Sequence, residues 1–208
     1  NQKFEIALSI DENYMITAKQ TFTNGGSTPV EIANFALLSR TGKPADATSG
    51  GSIFTHIHIG PMGVFDEKPN YDWGYVDVEE NKGEASFTST GGWLGFTDKY
   101  WLGALIPDQK TPVSAKFRAS GDVYQAQVIP TRYTSVAPGA VLNSGSRLFA
   151  GAKEMAVLDA YSKNLGIPYL DYAIDWGWFW FLTQPIFFGL HWLFEMTGNY
   201  GVAILLMT

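Results

Sequence analysis

Residues 3–10, KFEIALSI, alternate without a break, with Phe4, Ile6, Leu8 and Ile10 on one side and Glu5, Ala7 and Ser9 on the other. A period of two places every second side chain on the same face of a strand, so this stretch predicts a half-buried β-strand. Asp11-Glu12-Asn13 supplies a turn. Tyr14, Ile16 and Ala18 restart the alternation toward Phe22, until Asn24-Gly25-Gly26 breaks it with residues that tolerate positive φ. Working outward, short runs recur at residues 30–38, 53–59, 75–78, 85–88, 100–106, 115–119, 123–129 and 132–136, each bounded by Gly, Pro, Asn or Asp. Residues 40–52 and 61–70 look like connections. Many short strands separated by turn signals predict a mainly β fold, an antiparallel β-sandwich.

Helical spacing first appears at residues 152–164, where Met155, Leu158, Tyr161 and Leu165 stand three or four apart. Gly166 suits the left-handed position after a helix, and Pro168 prevents its continuation. Composition narrows the function classes. A net charge of −6 argues against a nucleic-acid partner, which needs a basic patch. No cysteine is present, so disulfide and thiolate chemistry are excluded. The chain opens at Asn1 with strand pattern already at Phe4 and has no leader-like segment there. It therefore reads as an internal piece of a longer chain.

Four of the seven tryptophans, Trp176, Trp178, Trp180 and Trp192, fall in or beside one uncharged stretch, residues 176–194. Its nineteen residues are just long enough to span a bilayer. Pro185 sits in the middle, however, and Gln184 and His191 interrupt the apolar character. At 100° per residue, Gln184, His191 and Glu195 share one narrow polar stripe, with Leu182, Ile186, Leu190 and Leu193 roughly opposite. This pattern predicts an amphipathic helix lying in the membrane interface, with the four tryptophans as its anchoring rings. Glu195-Met196-Thr197-Gly198-Asn199-Tyr200-Gly201 then interrupts, and an apolar helix begins at about Val202. After Lys163 there is no Lys or Arg, which places this flank on the non-cytoplasmic side.

Other constellations carry less. His56-Ile57-His58 would share a strand face at i and i+2, but a metal needs a third ligand and no Cys or His is near. The plainer expectation is two polar residues on the solvated face opposite Ile57 and Ile59. No metal or cofactor is therefore expected. Gly91-Gly92-Trp93 is expected to be structural, with glycines allowing close backbone approach and Trp93 filling the core. His191 is a candidate proton relay, or more simply a residue facing solvent or headgroups.

The run from Asp175 through Trp176, Trp178 and Trp180 to Gln184-Pro185, followed by Gly198-Asn199-Tyr200-Gly201 and an apolar helix start, resembles the YidC family of bacterial inner-membrane protein insertases. Gly91 to Trp101 resembles the Gly-Gly-Trp motif of that family's large periplasmic domain. Leu148 to Glu154 resembles its closing strand and the start of its linking helix. The resemblance runs in order over nearly the whole chain. It departs at Ala152, where members often carry Pro, and the family's groove arginine would lie beyond Thr208.

The resemblance implies a supersandwich of the mutarotase type at residues 1–151, a linking helix and loop at 152–170, an amphipathic interfacial helix at 171–197 and the start of a transmembrane helix at 198–208. It implies non-enzymatic insertion and folding of newly made inner-membrane proteins, alone or with the Sec translocon and its accessory subunits. The β-domain would be periplasmic, and Thr208 would match a polar position on the groove side. Two alternatives stay open. One is a soluble mutarotase-like sugar-binding or epimerase domain using His56 or His58 with a carboxylate. The other is a sandwich with a single transmembrane anchor.

Overall fold

A computed structural model describes residues 1–47, 57–177 and 179–208. The chain divides into two compact units, the first made of residues within 1–50 and 58–174, the second containing Asp175–Thr208.

The first unit holds three sheets among its described residues. In chain order its elements are β1 (Gln2–Ile10), β2 (Met15–Asn24), β3 (Val30–Ile32), β4 (Ala36–Thr41), β5 (Gly60–Phe65), β6 (Lys68–Asn70), α1 (Tyr75–Glu80), β7 (Glu84–Thr90), β8 (Trp93–Thr97), β9 (Trp101–Ile106), β10 (Pro112–Ser120), β11 (Val123–Pro130), β12 (Thr134–Val136), β13 (Val141–Ala152) and α2 (Met155–Leu165). A seven-stranded sheet runs β1-β2-β13-β9-β8-β5-β6, a four-stranded sheet runs β4-β11-β10-β7, and β12 pairs with β3. Every pairing is antiparallel. The predicted antiparallel sandwich is what the chain forms.

Two cores share the large sheet. On one face Phe65, Leu94, Phe96 and Leu105 meet Ala115, Phe117, Tyr124 and Ala126 of the four-stranded sheet. On the other face Met62, Val64, Trp93, Leu102, Ala104 and Phe149 are covered by Leu158 of α2 and by Ile167, Leu170 and Ala173 beyond it. Strands β5 and β8 are therefore buried at every position. A strand covered on both sides has no reason to alternate. That is why residues 61–70 looked like a connection when they form β5, a tight turn and β6.

Further expectations are corrected. Residues 75–78 form a helix, not a strand. Gly74 caps α1, its N–H donating to Asp77 Oδ2 at 2.7 Å, and Tyr75 and Val78 go inward at i and i+3. Residues 30–38 form two strands, β3 and β4, which join different sheets. Strand β1 forms in the predicted place but is exposed at all nine residues, not half-buried. Among the described residues its only partner is β2, with Phe4 opposite Phe22 and Leu8 opposite Ala18, so it is an edge strand there. Of the run at 53–59, residues 53–56 lie outside the described residues, and 57–59 are not strand.

Helix α2 is where the spacing put it. Gly166 adopts φ 63° and closes it, its N–H bonding Ser162 O. A 3-10 turn, Leu170–Ala173, then seats Leu170 and Ala173 in the second core.

Candidate functional site

In the second unit, Asp175 Oδ1 accepts a hydrogen bond from Gly177 N at 2.7 Å, and Gly177 takes φ 67°. This bend leads into α3 (Trp180–Thr197), where Thr183 Oγ1 lies 3.0 Å from Trp176 O and 3.2 Å from Phe179 O. Pro185 lies inside the helix, where it removes one backbone donor. Gly198, at φ 65°, ends α3 and donates to Phe194 O at 2.7 Å. Asn199 then caps α4 (Tyr200–Met207), its Oδ1 accepting from Gly201 N at 2.8 Å and Val202 N at 3.4 Å.

Helices α3 and α4 fold into a hairpin. The rings of Phe194 and Tyr200 stack at 3.9 Å, and Ala203 is fully buried. Gly189 faces α4, where a Cβ would stand 2.7 Å from Met207 Cε, the end of a flexible side chain. Of the polar residues of α3, His191 reaches Tyr200 at this seam. Gln184 and His191 are half-buried and Glu195 is exposed. His191 is flanked by the rings of Phe187 and Phe194, with Nε2 3.5 Å from Glu195 Oε1 and Nδ1 3.5 Å from the Tyr200 hydroxyl. At that length these are weak contacts.

The rest of α3 is apolar and open. No residue of α3 is buried, and Phe181, Leu182, Ile186, Phe188 and Met196 stand exposed beside Trp180 and Trp192, each of which is 59% exposed. Trp176 behaves differently, folding back to set its ring edge-on against Phe187 at 5.2 Å. Trp178 lies outside the described residues. Isolated exposed apolar residues are ordinary, whereas several together on one helix are the kind of surface that meets protein, membrane or ligand. No helix among the described residues is long and apolar enough to cross a membrane. Thr208 directs its hydroxyl to Ile204 O at 2.7 Å on its own helix.

The remaining candidates lie in the sandwich unit. Gly91 and Gly92 take φ 67° and 80°, and a Cβ on Gly92 would collide with Val64 O. Trp93 is 1% exposed and its indole N–H donates to Pro168 O at 3.0 Å. The motif thus ties the sheet to the chain leaving α2. Sequence inspection missed Gln109, whose amide clamps Gly92 through Nε2 to Gly92 O at 3.0 Å and Oε1 from Gly92 N at 2.9 Å. His56 lies outside the described residues, while His58 Nε2 is 2.9 Å from Pro61 O. Among the described residues no three His, Cys, Asp or Glu side chains gather as a metal site.

A polar network at α1 was also illegible in the sequence. Lys43 Nζ binds Glu79 Oε2 at 2.7 Å, and Glu79 Oε1 accepts from the Tyr124 hydroxyl. Those two hydrogen bonds hold the Glu79 carboxyl below its usual value. Arg40 pairs with Asp98 at 2.6 Å and lies over the ring of Tyr75, whose hydroxyl burial pushes up to about 12. The network fastens α1 and the two main sheets together, and within it the buried Tyr75 hydroxyl has no hydrogen-bond partner among the described residues.

The family described as the YidC periplasmic domain matches residues 1–189. Among curated relatives, the protein named membrane protein insertase YidC of Beijerinckia indica subsp. indica is 40% identical over 209 residues, which is 99% of this chain and 34% of the relative. Its namesake in Nitrobacter hamburgensis is 40% identical over 218 residues, 99% of this chain and 35% of the relative. That of Zymomonas mobilis subsp. mobilis is 39% identical over 208 residues, again 99% and 35%. The chain spans about a third of the length of these relatives.

Proposed function

The chain belongs to the YidC family, and from that premise we propose that it serves a membrane protein insertase and chaperone. The complete protein receives newly made inner-membrane proteins and releases them into the bilayer, alone or beside the Sec translocon and its accessory subunits. A partly hydrated groove lowers the cost of carrying a substrate's polar flanks through hydrocarbon. No covalent chemistry is needed for this, and family membership favours this reading over the sugar-epimerase alternative.

Within that protein, residues 1–151 supply a periplasmic contact surface, 152–170 a link, 171–197 an interfacial helix and 198–208 the first turns of a membrane helix. Trp176, Trp178, Trp180 and Trp192 anchor the interfacial helix in the outer headgroup layer, and it acts as a float that sets the height of the membrane core. The observation that supports this most directly is the exposed aromatic surface of α3, which has no buried residue among the described residues. Trp and Tyr rings favour that boundary because an apolar body and a polar tip are satisfied there together.

The insertase assignment is tested by exchange. A chimera in which these 208 residues replace the matching segment of a family insertase should restore growth and membrane insertion in cells depleted of their own enzyme. A chimera that reaches the membrane and inserts nothing would overturn it.

A further inference from the structure

We propose that the sandwich unit carries its own lipid contact, formed by Tyr169 and Tyr172, so that the β-domain is pinned to the membrane surface and does not merely hang from the interfacial helix. This rests on the interfacial placement of α3 proposed above.

The two rings meet edge to face, with centroids 5.0 Å apart, and both are exposed. Their backbone is held firmly. Ile167 and Leu170 are fully buried and Ala173 is 2% exposed. Trp93 Nε1 binds Pro168 O at 3.0 Å, the Tyr71 hydroxyl binds Tyr172 O at 2.8 Å, and Ser162 Oγ binds Ile167 O at 2.8 Å. Tyr169 itself sits at φ 53°, in the left-handed region that a bulky residue seldom adopts. A segment this well anchored would more cheaply present small polar side chains to water. Here it projects two amphipathic rings from a rigid base, and among the described residues neither hydroxyl has a hydrogen-bond partner.

The occupant is the lipid headgroup zone. Tyrosine rings partition there through an apolar body and a hydroxyl that reaches headgroups or water. The pair stands at the end of the sandwich unit, from which the chain runs directly into the charge-free aromatic stretch. After Lys163 no Lys or Arg is present, while Asp171 and Asp175 are. The contact is therefore one of aromatic partitioning, not of attraction to anionic lipid.

The test uses the whole chain on phosphatidylcholine vesicles containing a lipid with a photoactivatable headgroup. Adducts are expected on residues 167–174 as well as on α3. Replacing Tyr169→Asn, which tolerates the left-handed backbone, together with Tyr172→Ser should remove the first set of adducts and weaken partitioning about tenfold. Adding phosphatidylglycerol should not strengthen binding, and Tyr169→Trp with Tyr172→Trp should preserve it. If α3 is labelled but residues 167–174 are not, and the double variant partitions normally, the tyrosine contact is wrong while the interfacial helix stands. If instead Trp180→Glu with Trp192→Glu leaves vesicle binding unchanged, the interfacial placement itself fails, and this inference with it.

Discussion

Trp93 and Trp180 are the same side chain in opposite circumstances. The Trp93 indole is 1% exposed and its N–H bonds a carbonyl of the same unit. Trp180, like Trp192, is 59% exposed and lies on a helix with no buried residue. The sandwich thus buries this ring in a core of its own, while α3 places none of its side chains in a core among the described residues. Stability should therefore respond to the first region and location to the second.

The largest effect is expected on location. Trp180→Glu with Trp192→Glu should reduce vesicle co-sedimentation about a hundredfold, because charge at an interfacial face opposes burial in the acyl boundary. Its urea midpoint should barely move, since neither ring is part of a core. Trp93→Ala should show the reverse, with a loss of about 3–5 kcal/mol in urea unfolding from the cavity and the broken indole bond. Equal stability losses in both regions would erase the distinction. Gly92→Ala should cost at least about 2 kcal/mol, as its backbone stands at positive φ and Val64 O blocks a Cβ.

A smaller effect concerns β1, which sharpens the comparison because it is apolar and exposed within the sandwich unit. Leu8 is 70% exposed at a sheet edge, a template for pairing with other chains. Leu8→Lys should slow aggregation measured by light scattering, while changing stability by less than about 0.5 kcal/mol. The smallest effect is electrostatic. Lys43 and Tyr124 hold the Glu79 carboxyl below its ordinary 4.5. A depressed carboxylate stabilises the fold above the unfolded value, and that contribution disappears as pH falls from about 4.5 through the folded value. Glu79→Gln should flatten this acid limb of stability against pH by less than about 1 kcal/mol, as the pair is partly open to water.

Legibility followed exposure. Runs covered on one side, such as β10 and β11, alternate between buried and partly open positions and announce themselves. β5 does not, because both of its faces are covered and its Gly and Pro look like loop residues. The Tyr75–Glu80 helix hid for a related reason, its β-branched valines mimicking strand composition while the Gly74–Asp77 cap decided the matter. The polar break at Gly198 and Asn199 was legible because its chemistry is local. Gln109, seventeen residues from Gly92, was not, since nothing in the sequence states which backbone a distant amide will clamp.

The Asn199 cap has a consequence for whatever lies further along the helix it begins. By bonding Gly201 N and Val202 N, it starts α4 at a defined residue whether or not lipid surrounds it. Each residue after that point adds about 100° of rotation. The turn therefore works as the zero mark of a dial: one residue inserted or removed beyond it would leave the helix intact but swing every later side chain to a different bearing.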